Sequence, residues 1–176
     1  GIGWGSGNKP KMIKGPDIFI KIIKKLKKKF KIHVILTGPS RGYVINNLKK
    51  LKVSYEHYNV KKYSDICQFY NLLDCYIVSS RFEGGPRSIL ESMSSGVPIY
   101  STKVGQAKEL IVNGVNGWLY NINDLDKLAD LIHLNFKNKK LLSRVVKRAR
   151  ATALNNDHKK HLSLWIKFFI QLNNDQ

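Results

Sequence analysis

Two hydrophobic patterns alternate along the chain. Short apolar runs recur at His33-Val34-Ile35-Leu36-Thr37, Val53-Ser54-Tyr55, Cys75-Tyr76-Ile77-Val78, Val97-Pro98-Ile99-Tyr100 and Gly117-Trp118-Leu119-Tyr120; each reads as a strand, the first and third as buried ones. Amphipathic stretches separate them. The clearest, over 17–31, puts Phe19, Ile22, Ile23, Leu26 and Phe30 on one stripe and its lysines on the other. Gly15-Pro16-Asp17 opens that helix, with Pro in the first turn and an acid at the positive end. Further helices are predicted near 43–51, 62–72, 87–95, 105–112, 124–136, 138–153 and 157–172. Gly38-Pro39 closes the first strand, and Gly96 sits where a left-handed helix cap belongs. Strands alternating with helices predict an α/β fold, a doubly wound parallel sheet with helices on both faces. Ligands then bind beyond the carboxyl ends of the strands.

Composition narrows the class. A chain of 176 residues and 20.2 kDa is one domain of ordinary size, and 43% hydrophobic with 24% charged residues is a globular balance. Lysines interrupt every apolar stretch, so no run suits a spanning helix. The first residue is Gly1 and no cleavable signal pattern precedes the fold, so the chain reads as a piece of something longer or a processed one.

Lys and Arg total 31 against 12 acids, a net charge of +19. That excess suits a polyanion, either nucleic acid or an anionic membrane face, unless it reflects a composition rich in Lys, Asn and Ile. Only six of the cations are Arg, which base reading and base stacking favour, so no nucleic acid is expected. The basic helix at 17–31 stands where a crossover helix belongs, its apolar stripe against the sheet. Only weak attraction of its lysines to anionic lipid is left.

Cys67 and Cys75 are the only thiols and read as buried packing groups in a reducing compartment. The five His are scattered. His158 and His161 lie three apart without a third ligand, so no metal site is expected. The last helix, with Trp165, Phe168 and Phe169, is apolar enough to pack on its own domain or on a partner.

Chemistry concentrates in the segment from Ser79 to Glu91, which follows a strand and opens a helix. Glu83 and Glu91 are two of only four Glu in the chain. Gly84 and Gly85 admit a ligand close to the backbone. Pro86 has no N–H, so the amides of Gly85, Arg87, Ser88 and Ile89 are the donors for an anion such as phosphate. Glu91, two turns further on, suits a ribose, since a carboxylate accepts two hydroxyls. Glu83 alone also fits a plain helix-start acid.

This segment resembles the E-x7-E motif of retaining glycosyltransferases of the GT-B fold, in the large group 1 family (family 4). Ser92-Met93, Gly96-Val97-Pro98, Gly105 through Glu109 and Asn113-Gly114-Val115-Asn116-Gly117 resemble the family's following helix, its Gly-x-Pro turn, its next loop and its NG-x-NG turn. Lys14-Gly15, Gly38 and Trp165 also fall at matching places. The resemblance covers nearly the whole chain. It implies that residues 1–176 form the C-terminal, Rossmann-like nucleotide-sugar-binding half of a two-domain enzyme whose N-terminal acceptor domain is absent.

By that resemblance Glu83 and Lys14 are the catalytic residues, Glu83 at the donor sugar's hydroxyls and Lys14 on the diphosphate. Gly84, Gly85, Arg87, Ser88 and Glu91 bind the donor, and backbone at Val60 meets the base. The implied transfer is retaining and metal-independent. It uses no cofactor, and a UDP-sugar is the favoured donor substrate. The acceptor would be a glycan or lipid-linked glycan reached through the missing domain, in surface polysaccharide or glycoconjugate synthesis. The setting would be cytoplasmic, with possible peripheral contact at the inner face of an anionic membrane.

The family also carries an Arg ahead of its Lys-Gly. Residues 1–14 hold none, which leaves Lys9 and Lys11 beside the loop Gly3-Trp4-Gly5-Ser6-Gly7. A non-hydrolysing nucleotide-sugar epimerase and a non-catalytic basic module for nucleic acid or lipid are the rival readings.

Overall fold

The computed structural model describes residues 10–174, so Lys9 and the loop at Gly3–Gly7 lie outside the described residues. A 3-10 turn at Met12–Lys14 leads into α1 (Pro16–Leu26), β1 (His33–Thr37), α2 (Gly42–Lys50) and β2 (Ser54–Tyr58). A second 3-10 turn at Tyr63–Asp65 runs into α3 (Ile66–Tyr70). Then follow β3 (Tyr76–Val78), α4 (Arg87–Ser94), β4 (Ile99–Thr102), α5 (Ala107–Leu110) and β5 (Trp118–Tyr120). The helices α6 (Leu125–Lys137), α7 (Lys139–Asn155) and α8 (His158–Asn174) complete the order.

The strands pair in parallel, β1 with β2 and β3 with β4 with β5. Ile77 of β3 packs against the core around β1 and links the two groups. Helices cover both faces, as the alternating pattern predicts. In β4 the two faces are read one residue apart. Ile99 joins Ile89, Met93 and Ala149, while Tyr100 turns the other way onto Ile22, Leu128 and Ile132. The Tyr100 ring stacks on Trp118 at 4.8 Å, and its hydroxyl accepts from Asn135 Nδ2 at 3.1 Å. Burying each such side chain contributes about 1.5–3 kcal/mol. The ion pairs Lys25–Asp126 and Lys29–Asp130, which reach α6 from α1 and from the turn after it, involve exposed carboxylates and add little. Apolar contact therefore holds those two helices together.

Several boundaries differ from the sequence reading. α1 stops at Leu26, where the chain tightens into a turn through Lys27, Lys28 and Lys29, a cluster of like charges. Phe30 reaches the core from that turn, edge-on to His133 at 5.2 Å and Phe136 at 5.7 Å. α5 is shorter than predicted, because Ile111 is already extended. Cys75 packs into the core, and burial pushes its thiol up to about 12. Cys67 is instead exposed, since α3 is short and turns this residue to solvent. In α8 every described side chain is exposed except the half-buried His161, with Trp165 59% exposed. That helix does not pack on its own domain. No helix among the described residues is long and apolar enough to cross a membrane.

Three local ties fix the loops around the strand ends. Gly15 has φ +65°, and a Cβ there would lie 1.8 Å from the Ser79 carbonyl oxygen, so only glycine lets the first turn sit against the end of β3. Arg81 grips Asp17 through two nitrogens at 2.8 and 2.7 Å and donates to the Met12 carbonyl at 2.6 Å. Asn116 is buried in the turn after α5. It accepts from Val112 N at 2.8 Å and donates to Leu110 O at 2.8 Å and Thr152 Oγ1 at 2.9 Å.

The Arg81 guanidinium holds the Asp17 carboxyl below its usual 3.8. A depressed folded-state pKa gives stability that is present above the unfolded value and lost as pH falls through the folded one. The stability gap between the wild type and Asp17→Asn is therefore expected to be constant from pH 5 to 7 and to shrink below pH 3.8, read by denaturant titration across pH. Asn116→Ala strands a buried amide and carbonyl and is expected to cost about 2–3 kcal/mol in the same assay. A loss within 0.5 kcal/mol, about the scatter of a surface substitution, would contradict the anchoring role.

Candidate active site

The site residues predicted from sequence, Val60 excepted, gather at the carboxyl end of β3. Lys14 comes from the 3-10 turn ahead of α1, Glu83, Gly84 and Gly85 from the loop after β3, and Arg87, Ser88 and Glu91 from α4. Lys14 Nζ and Glu83 Oε2 form an ion pair, with side chains 31% and 18% exposed. The sequence separates them by 69 positions. The Gly15 and Arg81 ties bring them together.

The glycine loop is braced from beneath. Gly105, at φ +39°, passes so close that a Cβ would lie 1.9 Å from Gly84 O and 2.2 Å from Glu83 O. Gln106 N–H donates to Gly84 O at 2.8 Å, and the Gln106 side chain lies against Gly85. On its outer side Gly84 is open, with nothing within 4 Å of a built Cβ. The chain enters α4 extended at Pro86, so the amides of Arg87 and Ser88 have no partner within the helix. Ile89 N–H donates to Pro86 O at 3.0 Å, which removes it from the predicted donors.

Glu91 stands one turn along α4 among tyrosines. Tyr70 Oη donates to its Oε2 at 2.8 Å, and Tyr63 Oη donates to its Oε1. The Tyr76 ring packs against that of Tyr70, with 5.3 Å between the ring centres. Burial, the Tyr76 hydroxyl and the Glu91 charge raise the Tyr70 phenol, while for the exposed Tyr63 the bond to Glu91 does so first. A cavity of about 200 Å³ opens here, lined by Tyr63, Cys67, Tyr70 and Glu91 among others. Val60, half-buried in the loop after β2, is not among its lining residues.

Sequence reasoning missed the tyrosines, Gln106, the Asp17–Arg81 pair and the buried Arg41. Arg41 donates from Nε to Thr37 O at 3.0 Å at the end of β1. One signal was available. Tyr63 and Tyr70 are seven apart in a predicted helix, two turns on one face. The partner of Asp17 is 64 positions away, a long-range contact that spacing does not encode. Among the described residues no group of three or more His, Cys, Asp and Glu is placed to hold a metal ion.

Comparison with known proteins points one way. An uncharacterized glycosyltransferase of Methanocaldococcus jannaschii is 32% identical over 127 residues, covering 68% of this chain and 35% of the relative. The N-acetyl-alpha-D-glucosaminyl L-malate synthase of Bacillus anthracis is 26% identical over 120 residues, 68% of this chain and 32% of that enzyme. The chain thus spans about a third of the length of these relatives. Among solved structures, Anabaena HepE in complex with UDP superposes with a TM-score of 0.76 at 22% identity, over 95% of this chain and 48% of that one. The C-terminal domain of the group 1 glycosyl transferase LpcC from Francisella tularensis does so with a TM-score of 0.70 at 21% identity, over 81% of this chain and 79% of that one. These structures share the fold, which is that of GT-B glycosyltransferases. The family described as Glycosyl transferases group 1 matches residues 7–152, and the chain belongs to that family.

Proposed function

We propose that residues 1–176 form the donor half of a glycosyltransferase and bind a nucleotide-diphospho-sugar at the carboxyl end of β3. One observation carries this reading. Lys14, Glu83, the open Gly84 and the first amides of α4 meet at one point, and Glu91 stands one turn further along that helix. That is the order of charges a diphospho-sugar with a ribose behind it presents. The UDP bound to HepE supports a uridine nucleotide as the donor. In the unliganded chain Lys14 and Glu83 neutralise each other. A diphosphate would draw the ammonium to itself and leave Glu83 for the sugar hydroxyls.

The chemistry follows from charge. The bond from the anomeric carbon to the diphosphate breaks, a bond to the acceptor oxygen forms, and the acceptor's proton passes to the leaving phosphate. Negative charge grows on that phosphate, where Lys14 and the amides of Gly85, Arg87 and Ser88 stabilise it. A fixed ammonium in this place performs the charge neutralisation that a divalent ion performs elsewhere, which supports metal-independent transfer. Attack from the face that the leaving group vacates retains the anomeric configuration. Glu91 holds the ribose, and Val60 backbone meets the base. An N-terminal domain would bring a glycan or lipid-linked glycan acceptor, in polysaccharide or glycoconjugate synthesis on the cytoplasmic side of a membrane. The +19 charge supports peripheral contact with anionic lipid there.

Calorimetric titration of the full chain with UDP, GDP, ADP and CMP tests this reading, and UDP is expected to bind most tightly. Lys14→Ala is expected to weaken UDP about tenfold and to leave uridine unchanged, while Glu91→Ala weakens both by about tenfold or more. Raising salt from 50 to 200 mM is expected to lower UDP affinity by less than about tenfold. A basic module gripping polyanions through six to ten phosphate contacts would lose about a thousandfold or more. No nucleotide binding in any of these titrations would refute the assignment.

A further inference from the structure

Glu91 is held by two tyrosines of opposite character. Tyr70 is 5% exposed, buried between the Glu91 carboxylate and the Tyr76 ring. Its ring lies 5.3 Å from that of Tyr76. Tyr63 is 65% exposed, sits on the single 3-10 turn ahead of α3, and reaches Glu91 from the solvent side of the cavity. Each tyrosine takes a different carboxylate oxygen.

We propose that Tyr63 is a displaceable cap on Glu91, filling the carboxylate oxygen that a nucleotide's ribose hydroxyl takes, while Tyr70 is a positioning residue that holds the other oxygen in place. This inference rests on the nucleotide-sugar reading of the site. The contest is one of access. Each carboxylate oxygen has two lone pairs, so the competition is for the approach to Oε1: the Tyr63 hydroxyl already occupies it in the cavity of about 200 Å³ that a ribose hydroxyl would enter. The tyrosine bond is charge-assisted and satisfies Glu91 when no ligand is present. An incoming ribose must replace that bond, so the hydroxyl of Tyr63 opposes nucleotide binding. Little has to move, because Tyr63 lies mostly in solvent on a one-turn element. Tyr70 cannot leave in the same way, since its side chain is buried against the Tyr76 ring. Glu91 therefore keeps its aim while its outer partner changes.

The test is calorimetric titration of UDP into the full chain and into Tyr63→Phe, Tyr70→Phe, Glu91→Gln and the Tyr70→Phe/Glu91→Gln pair, with thermal melts of each. Tyr63→Phe keeps the ring and removes only the competing hydroxyl. It is expected to lower Kd by about three- to tenfold. Tyr70→Phe is expected to raise Kd by a similar factor. In the Glu91→Gln background the Tyr70 change is expected to add nothing, because its effect passes through that carboxylate. UDP binding in Tyr63→Phe alone, with none in wild type, would also support the cap. If wild type binds UDP and Glu91→Gln weakens it, the site reading stands. An unchanged or raised Kd in Tyr63→Phe then overturns the cap alone. An additive loss from Tyr70→Phe in the Glu91→Gln background overturns the positioning role. Absence of UDP binding in wild type and Tyr63→Phe alike overturns both the site reading and the cap.

Discussion

The site depends on one backbone contact that leaves no room for a side chain. Gly15 lies against the Ser79 carbonyl, at a distance where any Cβ would overlap the oxygen. Arg81 then closes the seam by reaching back to Asp17 and to the Met12 carbonyl. Through these contacts the turn that carries Lys14 and the loop that carries Glu83 behave as one unit. An ion pair at this position gains from the arrangement because little side-chain entropy is left to lose when it forms. Without the seam, Lys14 would be one more mobile surface cation among 31.

The two acids of the site live in different surroundings, and that difference separates their roles. Glu83 faces a cation and an open glycine. Glu91 faces phenols, which share protons with it without cancelling its charge. A cation beside Glu91 would compete with the diphosphate's own electrostatics, whereas hydroxyls mimic the sugar hydroxyls they precede. The residues that brace the floor, Gly105 and Gln106, touch neither acid's carboxylate and instead set the level of the loop between them.

Much of this was legible in the sequence. Strand β1 appears at its predicted bounds, and the apolar stripe of α1 is buried as its period requires, because buried strands and amphipathic helices announce themselves locally. The clustering of Lys14 with Glu83 followed from a family resemblance; no local pattern carried it. What escaped reading has a common cause. Cys67 looked like core because its neighbours are apolar, yet a five-residue helix turns it outward. Asp17 read as a helix-start acid, which it is, but its partner 64 positions away was invisible. The tyrosines around Glu91 were hidden for the same reason, since the contacts that unite them cross between α3, β3 and α4.

α8 carries a thermodynamic consequence of its own. The last residue buried in the core is Ala153, and the described side chains of the final helix stay in solvent apart from His161. A helix of 17 residues without tertiary support is marginal in water. Its helicity therefore rests on its own propensity and fades gradually on warming, while the body of the chain melts at one temperature. Far-UV ellipticity should slope downward ahead of the cooperative transition by roughly the share these residues contribute. A flat baseline followed by a single loss of all helical signal would show that something holds α8 in place.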